Sequence, residues 1–209
     1  MSKKMVCYST EMRDTVCKYD VLNLSPDDMK PGFALGGSCL PKHVRALQYR
    51  AKELDLDVPM INSVLGSNRM QVQHAIDRVV DTGKKRIGMF GFSFKAGTDD
   101  LRESPLVILA EALLGKGYEL SIYDKNVSLA RLVGANKQYI EEQIPHLSSH
   151  LCDTIDEVID KSDVIVVGNG APEFSEAVAR CRPDQIVIDL VRIPLDFSKV
   201  QAQYDGICW

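Results

Sequence analysis

Apolar residues recur at three- and four-residue spacing through the first 82 positions without a convincing strand, so this part is expected to be helical and irregular. Two long helices are predicted in it, from Pro41 to about Leu54 and from Pro59 to Asp81. Proline suits both starts, because its missing N–H would have no partner at a first helical position anyway. The second helix carries Met60, Ile61, Val64, Leu65, Met70, Val72, Ile76, Val79 and Val80, more apolar surface than so small a segment covers. Either it packs on the chain's own second half or part of it meets another chain.

From Lys84 onward the period changes. Short apolar runs at Arg86–Phe92, Glu119–Tyr123, Val164–Val167 and Ile186–Leu190 alternate with helical patterns at Pro105–Leu114, near Ser128–Val133, at Thr154–Asp160 and near Glu173–Ala179. Strands rich in Val and Ile and apolar on both faces, separated by helices, predict an α/β fold: a parallel sheet wound with helices on each side. The boundary falls at Thr82-Gly83-Lys84-Lys85, giving a helical segment over residues 1–82 and an α/β domain over 83–209.

Composition narrows the function classes. The chain has 209 residues, 45% of them hydrophobic, and a formal charge of −4, enough for a real core and the wrong balance for a polyanion-binding surface. No stretch approaches the roughly 18 apolar residues that span a bilayer, and Met-Ser-Lys-Lys-Met-Val-Cys has no apolar core behind its charges, so a cytoplasmic protein is expected. Six cysteines (7, 17, 39, 152, 181, 208) are scattered without paired spacing or histidine partners. They read as reduced thiols, with no metal site indicated.

Two stretches carry candidate chemistry. Gly36-Gly37-Ser38-Cys39-Leu40-Pro41-Lys42 puts a cysteine on a glycine-rich turn where a helix begins. The helix N-terminus and Lys42 favour a reactive thiolate, and the glycines let backbone approach a ligand; the turn alone equally allows a buried structural cysteine. Gly91-Phe92-Ser93-Phe94-Lys95-Ala96-Gly97-Thr98-Asp99-Asp100-Leu101-Arg102-Glu103-Ser104-Pro105 follows the first strand, where open parallel sheets usually bind ligands. Lys95 and Arg102 supply donors and charge, with Ser104 as helix cap before Pro105, although the same charges suit a solvated rim. The dinucleotide fingerprint G-x-G-x-x-G is absent, Gly88-Met89-Phe90-Gly91 having the wrong spacing. Asp124, ending the second strand, suits either a ribose hydroxyl or the start of a turn. Cys39 and His43, one helical turn apart, also fit a thiol-dependent acyl-transfer pair, but no orienting third residue is evident and His74, His146 and His150 lie outside any motif.

Pro31–Lys42 and Ser93–Pro105 together resemble the UDP-glucose/GDP-mannose dehydrogenase family. Gly134-Ala135-Asn136-Lys137 and Gly206-Ile207-Cys208-Trp209 look like its GDP-mannose branch, and the similarity runs from about Glu11 to the end. The resemblance implies a Rossmann-like nucleotide-sugar domain in the second part and a central dimerisation segment in the first. It implies oxidation of a sugar C6 alcohol to a carboxylate with two NAD reduced, GDP-mannose giving GDP-mannuronate for an alginate-type polysaccharide. Cys39 would be the nucleophile that adds to the intermediate aldehyde. Phe33 and Gly36 would line the nucleotide-sugar site, Lys30 would reach it from a loop shared across a dimer, Lys95 would hold the sugar, and Lys42 and Arg102 would reach NAD.

Departures from the family pattern shape the expectation. His43 stands where the family carries an aspartate that assists proton transfer; imidazole is also a base near neutral pH, with different reach and charge. Asp27 and Asp28 replace aromatic residues, and their charge would oppose a diphosphate. The family's N-terminal domain, about 200 residues by ordinary domain size, and with it the main NAD site, is expected to lie outside this chain. Two functions follow: part of a nucleotide-sugar dehydrogenase, inactive alone and completed by a homo-oligomer or a chain bearing the N-terminal domain, or a non-catalytic module that binds a nucleotide sugar or a dehydrogenase subunit.

Overall fold

Five strands lie parallel in the order β2-β1-β3-β4-β5. The computed structural model describes residues 32–127 and 145–207. In chain order its elements are α1 (Leu40–Glu53), α2 (Pro59–Asp81), β1 (Arg86–Phe90), α3 (Pro105–Gly115), β2 (Glu119–Tyr123), one-turn α4 (Pro145–Ser148), α5 (Ile155–Lys161), β3 (Val164–Val167), α6 (Glu173–Ala179), β4 (Ile186–Asp189), a 3-10 turn at Phe197–Lys199, and β5 (Gln203–Gly206). Lys30, Asp27, Asp28, Cys7, Cys17, Cys208 and the helix expected near Ser128–Val133 lie outside the described residues.

The apolar strands divide their side chains between two cores. Ile87 and Met89 of β1, Val164 and Val166 of β3, and Leu120 and Ile122 of β2 pack with α2 and α3 on one face. Phe90, Ile165, Val167 and Val187 face the other way and pack with α5 and α6, where Phe90 stacks on Phe174 with ring centres 5.4 Å apart. The period-two alternation inside runs such as Val-Ile-Val-Val is what allows a strand to be apolar throughout and still serve two layers. Gly88 is required by this packing: a Cβ there would fall 2.7 Å from Val158, Ser162 and Ile165 side-chain atoms.

The reading in which the long helix packs on the chain's own second half holds for part of that helix. Its second half supplies Val72, Ala75, Ile76 and Val79 to the core with α3 and β1, whereas Met60, at 83% exposure, and Met70 stand in solvent. On α1, Leu47 and Tyr49 are likewise exposed, while Val44 and Ala51 are buried.

Observed boundaries depart from the sequence reading where polar chemistry intervenes. β1 stops at Phe90, not Phe92, because Gly91 takes a left-handed φ of 87° and the next two amides bond a side chain instead of a neighbouring strand. β4 stops at Asp189, one residue before Leu190, because its carboxylate collects the amides of Val191, Arg192 and Ile193. β5 is an element the sequence pattern does not predict: Gln203-Tyr204-Asp205-Gly206 has no Val or Ile, and it is held as an edge strand by pairing with β4, by the Tyr204 hydroxyl donating to Asp189 at 2.6 Å and by Arg78 of α2 on Asp205 at 2.7 Å. Among the described residues, no helix is long and apolar enough to cross a membrane, and no cluster of three or more His, Cys, Asp or Glu could hold a metal ion.

Candidate functional site

The strand order makes β1 and β3 the topological switch point, since the chain leaves them toward opposite edges of the sheet. Two loops meet outside their carboxyl ends, Gly91–Ser104 after β1 and Gly168–Pro172 after β3. Their joint is Asp124, which ends β2 and is buried. One carboxylate oxygen accepts from the amides of Phe92 at 2.8 Å and Ser93 at 3.0 Å and lies 3.0 Å from the Ser93 hydroxyl, while Asn169 from the β3 loop donates to it at 3.4 Å. The other oxygen accepts from Asn126 N–H at 2.9 Å, a local turn. Of the two sequence readings of Asp124, the turn is realised, and the loop after β1 hangs from it. Gly91 also permits the joint, because a Cβ there would sit 2.5 Å from the Asn169 side chain.

From this anchor the β1 loop runs to α3. Ser104 caps α3 as expected, accepting from Leu106 N–H at 3.3 Å and donating to Phe92 O at 3.1 Å. Lys95 is exposed, and its carbonyl accepts from Thr98. Arg102, also exposed, folds back on Asp100 in a two-point pair of 2.8 and 2.9 Å. Those bonds, first of all, hold the Asp100 carboxyl below its ordinary value and push Arg102 up.

The cysteine turn lies against this loop. A Cβ on Gly36 would fall 2.6 Å from the Pro105 ring and 2.8 Å from Glu103 O. Gly37, with φ 83°, is pressed to the Phe94 ring, where a Cβ would be 2.8 Å away. Only glycine gives both the close approach and the left-handed backbone. On the other side, Asn68 of α2 pins the segment before the turn, its amide oxygen accepting from Leu35 N–H at 2.8 Å and its amide nitrogen donating to Leu35 O at 3.0 Å. Arg45 of α1 adds a two-point ion pair to Glu103, at 2.6 and 2.9 Å.

Cys39 occupies the N-cap of α1, is exposed, and makes no side-chain cap bond to the helix; its sulfur lies 3.8 Å from the Ser38 hydroxyl. The buried structural role therefore does not apply to it. Cys181 shows the contrast, buried against α6 with its thiol pushed up to about 11 by burial. The charge of a Cys39 thiolate reaches Arg102 and adds to the causes that favour its cation, so the turn and the loop meet electrostatically as well as sterically. Lys42 and His43 are exposed in the first turn of α1, and His43 N–H donates to Cys39 O at 2.9 Å, but no hydrogen bond joins the imidazole to the thiol. Phe33 is buried in the main core, immediately before the turn.

Thus Cys39, Gly36 and Arg102 gather at one place and Lys95 shares the loop, while Phe33 lies in the core beside the cleft against α2. Among the described residues, a cleft of about 560 Å³ opens between Phe33–Leu35 and the first half of α2, so Phe33 lines it, and another of about 650 Å³ opens between α1 and α2; neither is lined by Cys39, Lys95 or Arg102. Sequence reasoning missed Asn68, Asn169 and the Arg45–Glu103 pair. Gly168-Asn169-Gly170 after an apolar strand was the one available turn signal; the other contacts join distant positions and leave no local signature.

Comparison with known proteins adds a lineage. Residues 88–194 match the UDP-binding domain, and residues 9–70 the central domain, of the UDP-glucose/GDP-mannose dehydrogenase family. The chain is 53% identical to GDP-mannose 6-dehydrogenase of Pseudomonas aeruginosa over 95% of its own length and 45% of that protein. It is 47% identical to the Azotobacter vinelandii enzyme of the same name, again over 45% of it. The crystal structure of a ternary complex of the P. aeruginosa GDP-mannose dehydrogenase superposes with a TM-score of 0.82 at 51% identity, covering all of this chain and 47% of that one. A UDP-glucose dehydrogenase from Pyrobaculum islandicum shares the fold at a TM-score of 0.80 and 19% identity, over 45% of its chain. The chain therefore spans about half the length of the relatives it matches.

Replacing Asp124 with Ala is expected to orphan the buried amides of Phe92 and Ser93, at about 1–3 kcal/mol for each unsatisfied donor. Urea unfolding of the Asp124→Ala chain measures this as a lower midpoint; an unchanged midpoint would show that the carboxylate is not the anchor. A pH prediction follows from Glu103, whose carboxyl is held below its ordinary 4.5, first by the hydrogen bonds from Arg45. A depressed folded value stabilises fully above the unfolded value and is lost as pH falls through the folded one. Amide-exchange protection in the first turns of α1 should therefore drop as the pH falls below the ordinary 4.5 and through the lowered folded value, before the sheet opens.

Proposed function

Because the chain belongs to the UDP-glucose/GDP-mannose dehydrogenase family, we propose that it is the nucleotide-sugar-binding and nucleophile-bearing part of an NAD-dependent GDP-mannose 6-dehydrogenase, working in the cytoplasm on the route to an alginate-type polysaccharide. The observation that carries the reading is the exposed Cys39 on a glycine turn packed against the loop of Lys95 and Arg102.

In this reading the Cys39 sulfur donates an electron pair to the C6 aldehyde carbon of the bound sugar. A C–S bond forms, the carbonyl pair moves to oxygen, and that oxygen takes a proton. Lys95, whose ammonium has no partner among the described residues, holds the sugar, while Phe33 and Gly36 line the nucleotide-sugar site. Lys30, outside the described residues, is assigned the same substrate. His43, one helical turn from Cys39, is the base nearest in sequence for the hydrolytic water.

NAD, when bound, would accept hydride. The residues here do not fit a dinucleotide site of their own: at the switch point, the Phe92 and Ser93 amides that would face a pyrophosphate are occupied by Asp124, and its buried charge would repel one. Lys42 and Arg102 therefore contribute to NAD only beside another domain. That domain, or a second copy of this chain, is the proposed partner; the exposed Met60, Met70, Leu47 and Tyr49 provide apolar surface for it.

Calorimetric titration of the purified chain with GDP-mannose, UDP-glucose and NAD tests the reading. Saturable binding of GDP-mannose is expected, weakened about tenfold or more by Lys95→Ala, with no binding of NAD and no NADH formed. No binding of either nucleotide sugar would refute the proposed site, and NADH formation by the chain alone would refute its dependence on another domain.

A further inference from the structure

We infer that the Arg45–Glu103 ion pair is a positioning device, setting where the Cys39 turn stands against the loop that carries Lys95 and Arg102. The inference rests on the reading of Cys39 as the reacting thiol. The pair joins residues 58 apart, with both guanidinium nitrogens on both carboxylate oxygens. Arg45 rides on the helix that Cys39 begins, and Glu103 sits between Arg102 and the Ser104 cap of α3. A displacement of Glu103 is therefore felt by Arg102 on one side and by α3 on the other.

One feature separates this pair from an ordinary surface bridge. Glu103 has a left-handed φ of 50°, a conformation that residues with a side chain rarely adopt and that persists only where surrounding contacts impose it. Here those contacts are the turn bond from Ser104 N–H to Leu101 O at 3.1 Å, the Arg45 fork on its side chain and the close packing of Gly36 on its carbonyl. Both side chains remain about half exposed, at 50% and 44%, and exposed pairs add little to global stability. A strained backbone held by a planar fork thus has its main consequence in geometry. Releasing it lets Glu103 relax to an ordinary conformation, turns Arg102 away, and loosens the glycine turn from Phe94.

The test uses the full chain and iodoacetamide, with labelling of each cysteine followed by peptide-resolved mass spectrometry at one fixed pH. Glu103→Gln and Arg45→Lys are each expected to slow Cys39 labelling about threefold or more, with Cys181 labelling and the thermal midpoint little changed. The swapped chain Arg45→Glu/Glu103→Arg is expected to recover most of the wild-type Cys39 rate. The conservative Arg45→Lys keeps charge and fold while losing the fork, so it reports on positioning even where another variant folds poorly. Unchanged or faster Cys39 labelling in both single variants would overturn the inference, as would a loss that tracks the thermal midpoint and is not recovered by the swap. Labelling needs no nucleotide sugar, so a chain that shows the effect yet binds no GDP-mannose would sink the proposed function and leave the clamp standing.

Discussion

The carboxylate of Asp124 is the constraint on which the candidate site depends. A buried carboxylate with no salt bridge among the described residues has to be compensated by donors, and the donors it finds are the first two amides beyond the left-handed Gly91, the Ser93 hydroxyl and the Asn169 amide. This ends β1, ties the loops of β1 and β3 together at the switch point, and sets the path of the chain toward Lys95 and Arg102. Asp189 repeats the device at the end of β4, where three amides and the Tyr204 hydroxyl gather on one side chain. Strand ends in this sheet are thus shaped by acceptors from within the fold, and the positions a phosphate would take in a dinucleotide-binding turn are already filled.

In the proposed function, anion recognition accordingly falls to side chains rather than backbone. The cysteine turn meets the loop through Gly36 and Gly37, whose missing Cβ atoms leave room for Pro105 and the Phe94 ring. Cys39 is left exposed at a helix N-terminus and within electrostatic range of Arg102. A thiol so placed suits attack on a carbonyl carbon, whereas Cys181, buried and shifted upward, does not.

Much of the fold was legible because it rests on period. The alternation of Val- and Ile-rich runs with helical patterns located β1 to β4 within two residues, and Pro59, Ser104-Pro105 and Thr154 marked helix starts that the structure keeps. β5 was not legible, since Tyr204 is its one strand-favouring residue and its place comes from pairing with β4. For the site, the motifs gave Cys39, Lys95 and Arg102, but not what holds them. Asn68 on Leu35, Asn169 on Asp124 and Arg45 on Glu103 are contacts between distant positions, each an ordinary polar residue until the fold brings its partner near. The engagement of Arg102 with Asp100, two residues away, was within reach of sequence reasoning and was not drawn from it.

The central claim is that the glycine-cysteine turn and the loop after β1 form one nucleotide-sugar site. Its most direct test is a two-dimensional amide NMR titration of the labelled chain with GDP-mannose, up to about 1 mM, a range that detects even weak binding. The account predicts that shifts concentrate at Gly36–Lys42 and Phe94–Arg102 and move together along one saturation curve. Shifts confined to the cleft between α1 and α2 around Tyr49 and Asn62, or none at all, would contradict it.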